Sequence, residues 1–420
     1  MNKKTALLPV FFILIGTLLS ACSGFLPLKE EPITGEYGPA YSAQERQLRT
    51  FNVLWKNVED SYIYFDTAGV DWQTLHDQYV EKINAGLSAD EFTALVKGLE
   101  TDLPEGSFIY QSRPERIEAD STDISTYDGI GAFVGFQEKA VPHIVILAVI
   151  DGSPAEAAGL KAHDSIFQID GNPVLLEEGL SVVERIRGPA GSSVSLEVQS
   201  PGKPQRTVDV ERAKLTSTGK LEAYNIVGTD FAYLLFPPLG YTGLDQDVYT
   251  SLQKLSTDRK LKGLVLDLRI ANSSRDWPLD TLFTMFHDGK IGELYNRTDE
   301  QPVEVEGRDA FGSQTIPLVI LVGKNTNGFS EIFAASLQMY KRATIVGEAT
   351  PGKVETQSSF YLPDGSRIFV ESTSFRLSNG DEIGNTGVEP DVHIAASWDQ
   401  VDPSDDPVLE QALEVLRTAK

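Results

Sequence analysis

The chain has one cysteine, Cys22, in 420 residues, so no disulfide can form within it. Histidine is also scarce: His76, His143, His163, His287 and His393 are scattered, without an HExxH run or paired-ligand spacing. A bound metal is therefore not expected, and no motif for another cofactor stands out. Basic residues are in deficit, with 36 Lys+Arg against 61 Asp+Glu and a formal charge of −25. Such a surface repels phosphate backbones, which excludes nucleic acid as a partner and disfavours direct adhesion to anionic lipid. The apolar run from Ala6 to Leu19 is too short for a membrane-spanning helix. No internal repeat or low-complexity tract is present. No pair of carboxylates or ligand cluster stands at a spacing that suits a glycosidase or a metal hydrolase.

What the chain does have begins with its leader. Lys3 and Lys4, the apolar run and then Leu19-Ser20-Ala21-Cys22 follow the order of a secretory signal. The last four residues resemble the lipobox of bacterial lipoproteins, in which the cysteine is lipidated and becomes the mature N-terminus. Residues 1–22 are thus expected to be a lipoprotein signal peptide, with Cys22 the lipidation site. The protein is then expected outside the cytoplasm, lipid-anchored to a bacterial cell membrane, in the periplasm or at the outer surface. Residues 23–40 hold Gly24, Pro27, Pro32, Gly35, Gly38 and Pro39, the composition of a tether.

Beyond the tether, hydrophobic periodicity indicates a mixed α/β (α+β) fold. Residues 41–120 read as a helical cap. Ser42 and Glu45 form a capping box, followed by Leu48, Phe51, Leu54, Trp55 and Val58 at helical spacing. A second helix is expected from Asp71, burying Trp72, Leu75, Tyr79 and Ile83, and a third from Ser88, with Glu91 as its capping partner. Near Gly129 the period changes. Val141 to Ile150 and Val194 to Val198 read as strands, and Gly179 to Arg187 as a short helix between turns. Past residue 216, strand and helix patterns alternate. Lys262 to Arg269 and Pro317 to Gly323 are apolar enough for buried parallel strands. Thr356 to Leu377 reads as a hairpin about Pro363-Asp364-Gly365. Residues 399–420 read as an acidic tail containing a helix, Val408 to Leu416.

Three segments then carry a resemblance. GIGAFVGF (Gly129 to Phe136), DGSPAEAAGLKAHDSIFQIDGNPV (Asp151 to Val174) and RIRGPAGSSVSLEV (Arg185 to Val198) resemble, in order, a PDZ domain of the processing-protease type, expected over 121–215. The likeness implies that backbone N–H groups of Gly129, Ile130, Gly131 and Ala132 receive a peptide's terminal carboxylate. The peptide would add a strand beside Phe133 and Val134 and pack against a helix bearing Val182, Val183 and Ile186. With LVLDLR, SEIFAASLQ, RATIVGE, Gly352-Lys353 and GVEPD following in order, the chain from Phe51 to Val392 resembles the carboxy-terminal processing, or tail-specific, protease family of serine–lysine peptidases. That family's peptidase core is expected over 216–398.

The resemblance implies a lysine base at Lys353, oriented by Gln357. A lysine can serve as a base only where desolvation lowers its pKa toward neutrality. Aligning Ser330-Glu331-Ile332 with the end of the family's serine motif puts the attacking position on Gly328, which has no side chain. Ser330 matches a non-attacking serine; two residues along a helical turn, its hydroxyl would point about 200° away, and a helix N-cap is expected there. The glycine pair of the oxyanion loop falls on Ser273 and Ser274. The acidic residue of some relatives falls on Met339, and their Asp-Pro-His-Ser segment on Leu103 to Ser107. The expected function is that of a family homologue binding protein C-termini or unfolded segments, with hydrolysis impaired. The alternative is an active serine endopeptidase using Ser330 with Lys353. Expected partners are protein or peptide C-termini and, through the lipid anchor, a membrane.

Overall fold

The computed structural model describes residues 42–121, 126–216, 219–273 and 277–419. The expected signal, Cys22 and the tether lie outside the described residues, as does Ser274. No helix among the described residues is long and apolar enough to cross a membrane.

The first three helices, Ala43–Ser61, Trp72–Asn84 and Ala89–Asp102, start where their caps predict. Ser42 accepts from the Glu45 amide, Asp71 from the Thr74 amide, and Ser88 and Glu91 cap each other reciprocally. Their buried faces meet in one cluster containing Phe51, Leu54, Tyr79, Ile83, Val96 and Leu99. That cluster also includes Phe108, Tyr110, Leu362, Ile368 and Val370. The N-terminal region is therefore not wholly helical: Phe108–Gln111 is a strand paired antiparallel with residues 367–370. Four residues are too short a run for alternation to show in sequence.

A small β domain follows. Its strands run Ala132–Gln137, His143–Val149, Ser165–Ile169, Ser193–Gln199 and Arg206–Glu211, all antiparallel, with Ala132–Gln137 at the edge. The helix expected between 179 and 187 is a 3-10 turn, Leu176–Val182, running into one α turn, Val183–Ile186. The connectors, Thr126–Gly129 and Ala213–Thr216, pair as a two-stranded ribbon where the chain enters and leaves the domain.

The core sheet has the order Glu222–Asn225, Phe231–Leu235, Gly263–Asp267, Leu318–Val322, Thr344–Gly347 and Val392–His393, parallel from the second strand onward. GLVLD and LVILV are buried throughout, as strands covered on both faces must be. Helices Leu244–Leu255, Leu279–Phe286 and Phe329–Met339 cover one face. The other is covered by Pro407–Thr418, whose Val408, Ala412, Leu413 and Leu416 pack on Val265, Val319, Leu321 and Val346. The helix expected in an acidic tail is thus a layer of the core. Arg269 holds its start: the guanidinium lies 2.5 Å from Asp267 and 2.7 Å from Asp406, the helix N-cap. Tyr233 donates to Asp267 at 2.7 Å. A second sheet joins Gly289–Tyr295, Glu300–Val305, Thr356–Tyr361 and Arg367–Leu377; the last two form the expected hairpin.

Candidate active site

The site lies beyond the carboxyl ends of the parallel strands, where open α/β sheets form their crevices. After Leu318–Val322 the chain loops to Asn327–Gly328, which pairs in parallel with Asn272–Ser273, and then enters the helix Phe329–Met339. Gly328 is the apex of this turn, at φ 70° and ψ −131°. This sharp strand-to-helix elbow has the shape on which a nucleophile can be presented, a conformation costly to side chains with a Cβ and free to glycine.

Glu331 ties the elbow to the turn that carries Lys353. Its side chain is fully buried. One oxygen accepts from Thr350 Oγ1 at 2.5 Å and the Gly352 amide at 2.7 Å. The other accepts from the Lys353 amide at 2.9 Å and the Gly328 amide at 3.1 Å. The Gly328 amide also donates to the Lys353 carbonyl at 2.9 Å. Burial pushes the Glu331 carboxyl up, opposed by these donors. The two glycines of GK and GVEPD make the close approach possible. Gly352 has φ 75°, and a Cβ there would lie 2.5 Å from the Gly387 nitrogen. At Gly387, φ 71°, a Cβ would lie 1.9 Å from the Thr350 carbonyl oxygen. The motif residues are therefore the walls of one turn.

The side chains expected to do chemistry are arranged differently. Lys353 is exposed to solvent, contrary to the desolvation expected of a lysine base. Gln357, expected to orient it, donates instead to the Gly106 carbonyl at 3.1 Å. Ser330 is fully buried, its hydroxyl 2.7 Å from the Ala271 carbonyl and 2.8 Å from that of Asn327. It is not the N-cap, which is Gly328; it sits in the first helical turn, and its hydroxyl donates to backbone carbonyls. Ser273 meets Gly328 through the backbone pairing. Met339 packs against the main core and receives a contact from Ser378 Oγ at 3.7 Å.

The segment Leu103 to Ser107 forms the neighbouring wall. Ser107 is buried and donates to the Pro104 carbonyl at 2.6 Å. Sequence reasoning missed the acidic pair beside it. Glu371 lies opposite Gln357 across the hairpin, and a Cβ at Gly106 would come within 3.1 Å of its carboxylate. Burial, and then repulsion from Glu355, push the Glu371 carboxyl up to about 7, against the pull of Lys353. Glu355 accepts from the Tyr64 hydroxyl and, at 3.2 Å, from Ser374. A carboxylate facing the lysine was readable only from the hairpin register.

In the small β domain, Gly129 ends the ribbon strand and Gly131 takes φ 86°. Ala132, Phe133 and Val134 begin the edge strand. Ile130 and Ile186 are 4% exposed and Val182 1%, all in the domain's own core, while Val183 is half-buried. Phe133 turns toward the peptidase part, packing with Val145, Leu147, Ile270 and Trp398. The exposed apolar side chains near the short helices are Leu175, Leu176 and Leu180, which the sequence reading passed over.

The peptidase family S41 pattern matches residues 230–394, the PDZ domain pattern 145–200, and that of the Tricorn protease C1 domain 43–98. Over 385 residues, the sequence is 30% identical to the chloroplastic C-terminal processing peptidase of Tetradesmus obliquus, covering 85% of this chain and 79% of the relative. It is 30% identical over 346 residues to the carboxyl-terminal-processing protease of Synechocystis sp., covering 80% and 78%. Among solved structures, the photosystem II D1 C-terminal processing protease superposes with a TM-score of 0.65 at 23% identity, over 88% of this chain and 100% of that one. At that identity the likeness speaks for the fold.

Proposed function

The chain belongs to the carboxy-terminal processing peptidases, serine peptidases of family S41 with a PDZ domain, and we propose that this member grips protein C-termini or unfolded segments without hydrolysing them. Gly328 carries the reading. It stands at the apex of the elbow with no atom that can attack a carbonyl. The other serine of the motif offers no substitute, since the Ser330 hydroxyl is directed at two backbone carbonyls. Lys353 is solvent-exposed rather than enclosed beside the elbow. The PDZ domain supports the binding half of the proposal, because its edge strand can accept an added peptide strand.

The test is incubation of the purified protein with an unstructured polypeptide and with a fluorophosphonate probe. Neither cleavage nor labelling is expected, while a peptide with a free C-terminus binds. Cleavage that survives Ser330→Ala would refute the reading; cleavage or labelling abolished by Ser330→Ala would establish the alternative, an endopeptidase using Ser330. Gly328→Ser places a hydroxyl at the apex and is expected to gain slow proteolysis. Ser273 and Ser274, in place of a flexible glycine pair, limit that gain; one mis-aimed oxyanion donor costs about 100- to 1,000-fold.

The same proposal holds the protein at a membrane outside the cytoplasm through lipid on Cys22, as the leader suggests. Cys22→Ser is expected to shift the protein from the membrane to the soluble fraction. Unchanged membrane retention would sink the anchoring.

A further inference from the structure

The PDZ domain sits on the peptidase domain through one face of its sheet, where Val145 and Leu147 pack on Ile270 and Trp398. Two histidines of the PDZ domain close this seam against consecutive peptidase residues. His143 Nδ1 lies 2.7 Å from the Val141 carbonyl, and Nε2 lies 3.2 Å from Asp399 Oδ2. Both partners are acceptors, so the ring satisfies both only by donating from both nitrogens, as an imidazolium. Asp399 depends on it: its other oxygen, Oδ1, is buried without a hydrogen-bond partner.

His163 makes the opposite demand. Its Nδ1 lies 2.6 Å from the Trp398 carbonyl, which needs one N–H. Its ring stacks on the Trp398 indole at 3.9 Å, and the Arg269 guanidinium lies 5.1 Å from the same indole. Trp398 Nε1 in turn donates to the Ile146 carbonyl of the PDZ domain at 3.2 Å. A second cation beside Arg269 in this buried place is unfavourable.

We propose that His143 and His163 form a proton-operated latch, which holds the PDZ domain on the peptidase domain only while the first is charged and the second neutral. The charges around each ring fit those roles. His143 faces Asp399; burial pulls its pKa down, but Asp399 and the Val141 carbonyl outweigh it and the net direction is up. His163 is held down by burial first; the Trp398 carbonyl opposes this, Arg269 adds to it, and Asp406 and Asp267 oppose it. Asp402 also feels His163 and Lys203. The His143 half of the latch is complete below its ordinary value, about 6.5, and is lost as pH rises through its raised value. The His163 half is complete above about 6.5 and is lost as pH falls through its lowered value. Docking is therefore tightest near the ordinary histidine pKa and loosens on both sides.

The latch bears on the cleft through Gly135. A Cβ there would lie 2.6 Å from Asn325 Oδ1, three residues before Gly328. The docked sheet thus braces the loop leading to the elbow.

Hydrogen exchange of the full chain between pH 5 and 9 tests this, read as protection factors with intrinsic rates divided out. It requires neither peptide binding nor hydrolysis. Segments 143–149 and 396–401 are expected to be best protected near pH 6.5, losing about tenfold per pH unit while the His143 proton is released. His143→Gln is expected to flatten the alkaline limb alone, and His163→Asn, which tolerates the φ of 74° at that position, the acid limb alone. Protection that is flat with pH in the wild type, or an alkaline limb that survives His143→Gln, overturns the proposal. So does a parallel loss in the core helix 329–339, which would mean global unfolding.

Discussion

Truncating Glu331 to alanine should uncouple the elbow from the lysine turn, and the structure sets the cost. Four donors converge on the carboxylate, from Gly328, Thr350, Gly352 and Lys353. Gly328 retains a second acceptor in the Lys353 carbonyl, and the Thr350 hydroxyl can rotate. The amides of Gly352 and Lys353 have no such recourse. An orphaned buried donor costs about 1–3 kcal/mol; with Gly352 buried and Lys353 only partly so, the pair lose about 4 kcal/mol at most. Loss of the buried methylenes adds about 1 kcal/mol, and relief of the carboxylate's desolvation returns a similar amount. Glu331→Ala is therefore expected to destabilise by up to about 4 kcal/mol, and Glu331→Gln by about 2, since the amide keeps one acceptor and turns an N–H₂ toward donors. Urea unfolding followed by circular dichroism measures both, with a lowered midpoint and unchanged slope. Exchange at the Gly352 and Lys353 amides should rise more than in the PDZ domain. A loss below about 1 kcal/mol for the alanine variant would show that these contacts do not hold the two turns together.

Gly387→Ala drives a Cβ into the Thr350 carbonyl at a positive φ. It should cost about 3 kcal/mol or more, visible as a lowered melting temperature; a neutral result would mean the GVEPD turn is not pinned against Thr350. Glu371 binds a proton more tightly folded than unfolded, because burial and Glu355 raise it to about 7. Its contribution is complete below the unfolded value near 4.5 and disappears as pH rises through about 7. The displacement corresponds to about 3 kcal/mol, cut to about 1 by partial solvent exposure. Glu371→Gln should thus gain about 1 kcal/mol at pH 8 and nothing at pH 4; equal effects at both would locate the titration elsewhere.

Local chemistry explains what could be read before the structure. Ser42, Asp71 and Ser88 announce helix starts because a cap and its amide are three residues apart. GLVLD and LVILV announce buried strands because nothing polar interrupts them until Asp267 meets Arg269. The order of motifs assigns Gly328 and Lys353 to one site, and the fold joins them through a backbone hydrogen bond. The geometry between motifs was not readable. Glu331 looks like one carboxylate in a helix start, yet two of its donors lie 21 and 22 residues away. The meeting of Gln357 with Gly106 depends on the hairpin and the segment before Phe108, which no periodicity connects. The terminal helix reads as a tail because its anchor, Arg269, is 137 residues upstream of Asp406.

That distance has a consequence for how the molecule is made. During synthesis the strands from Phe231 to Gly347 emerge with one greasy side bare, and Arg269 and Asp267 wait without their third charge. Only when residues 407–418 appear can this surface be sealed, so the peptidase half cannot lock shut while most of it is already outside the ribosome. A chain cut before residue 407 would therefore be left with Val265, Val319, Leu321 and Val346 uncovered.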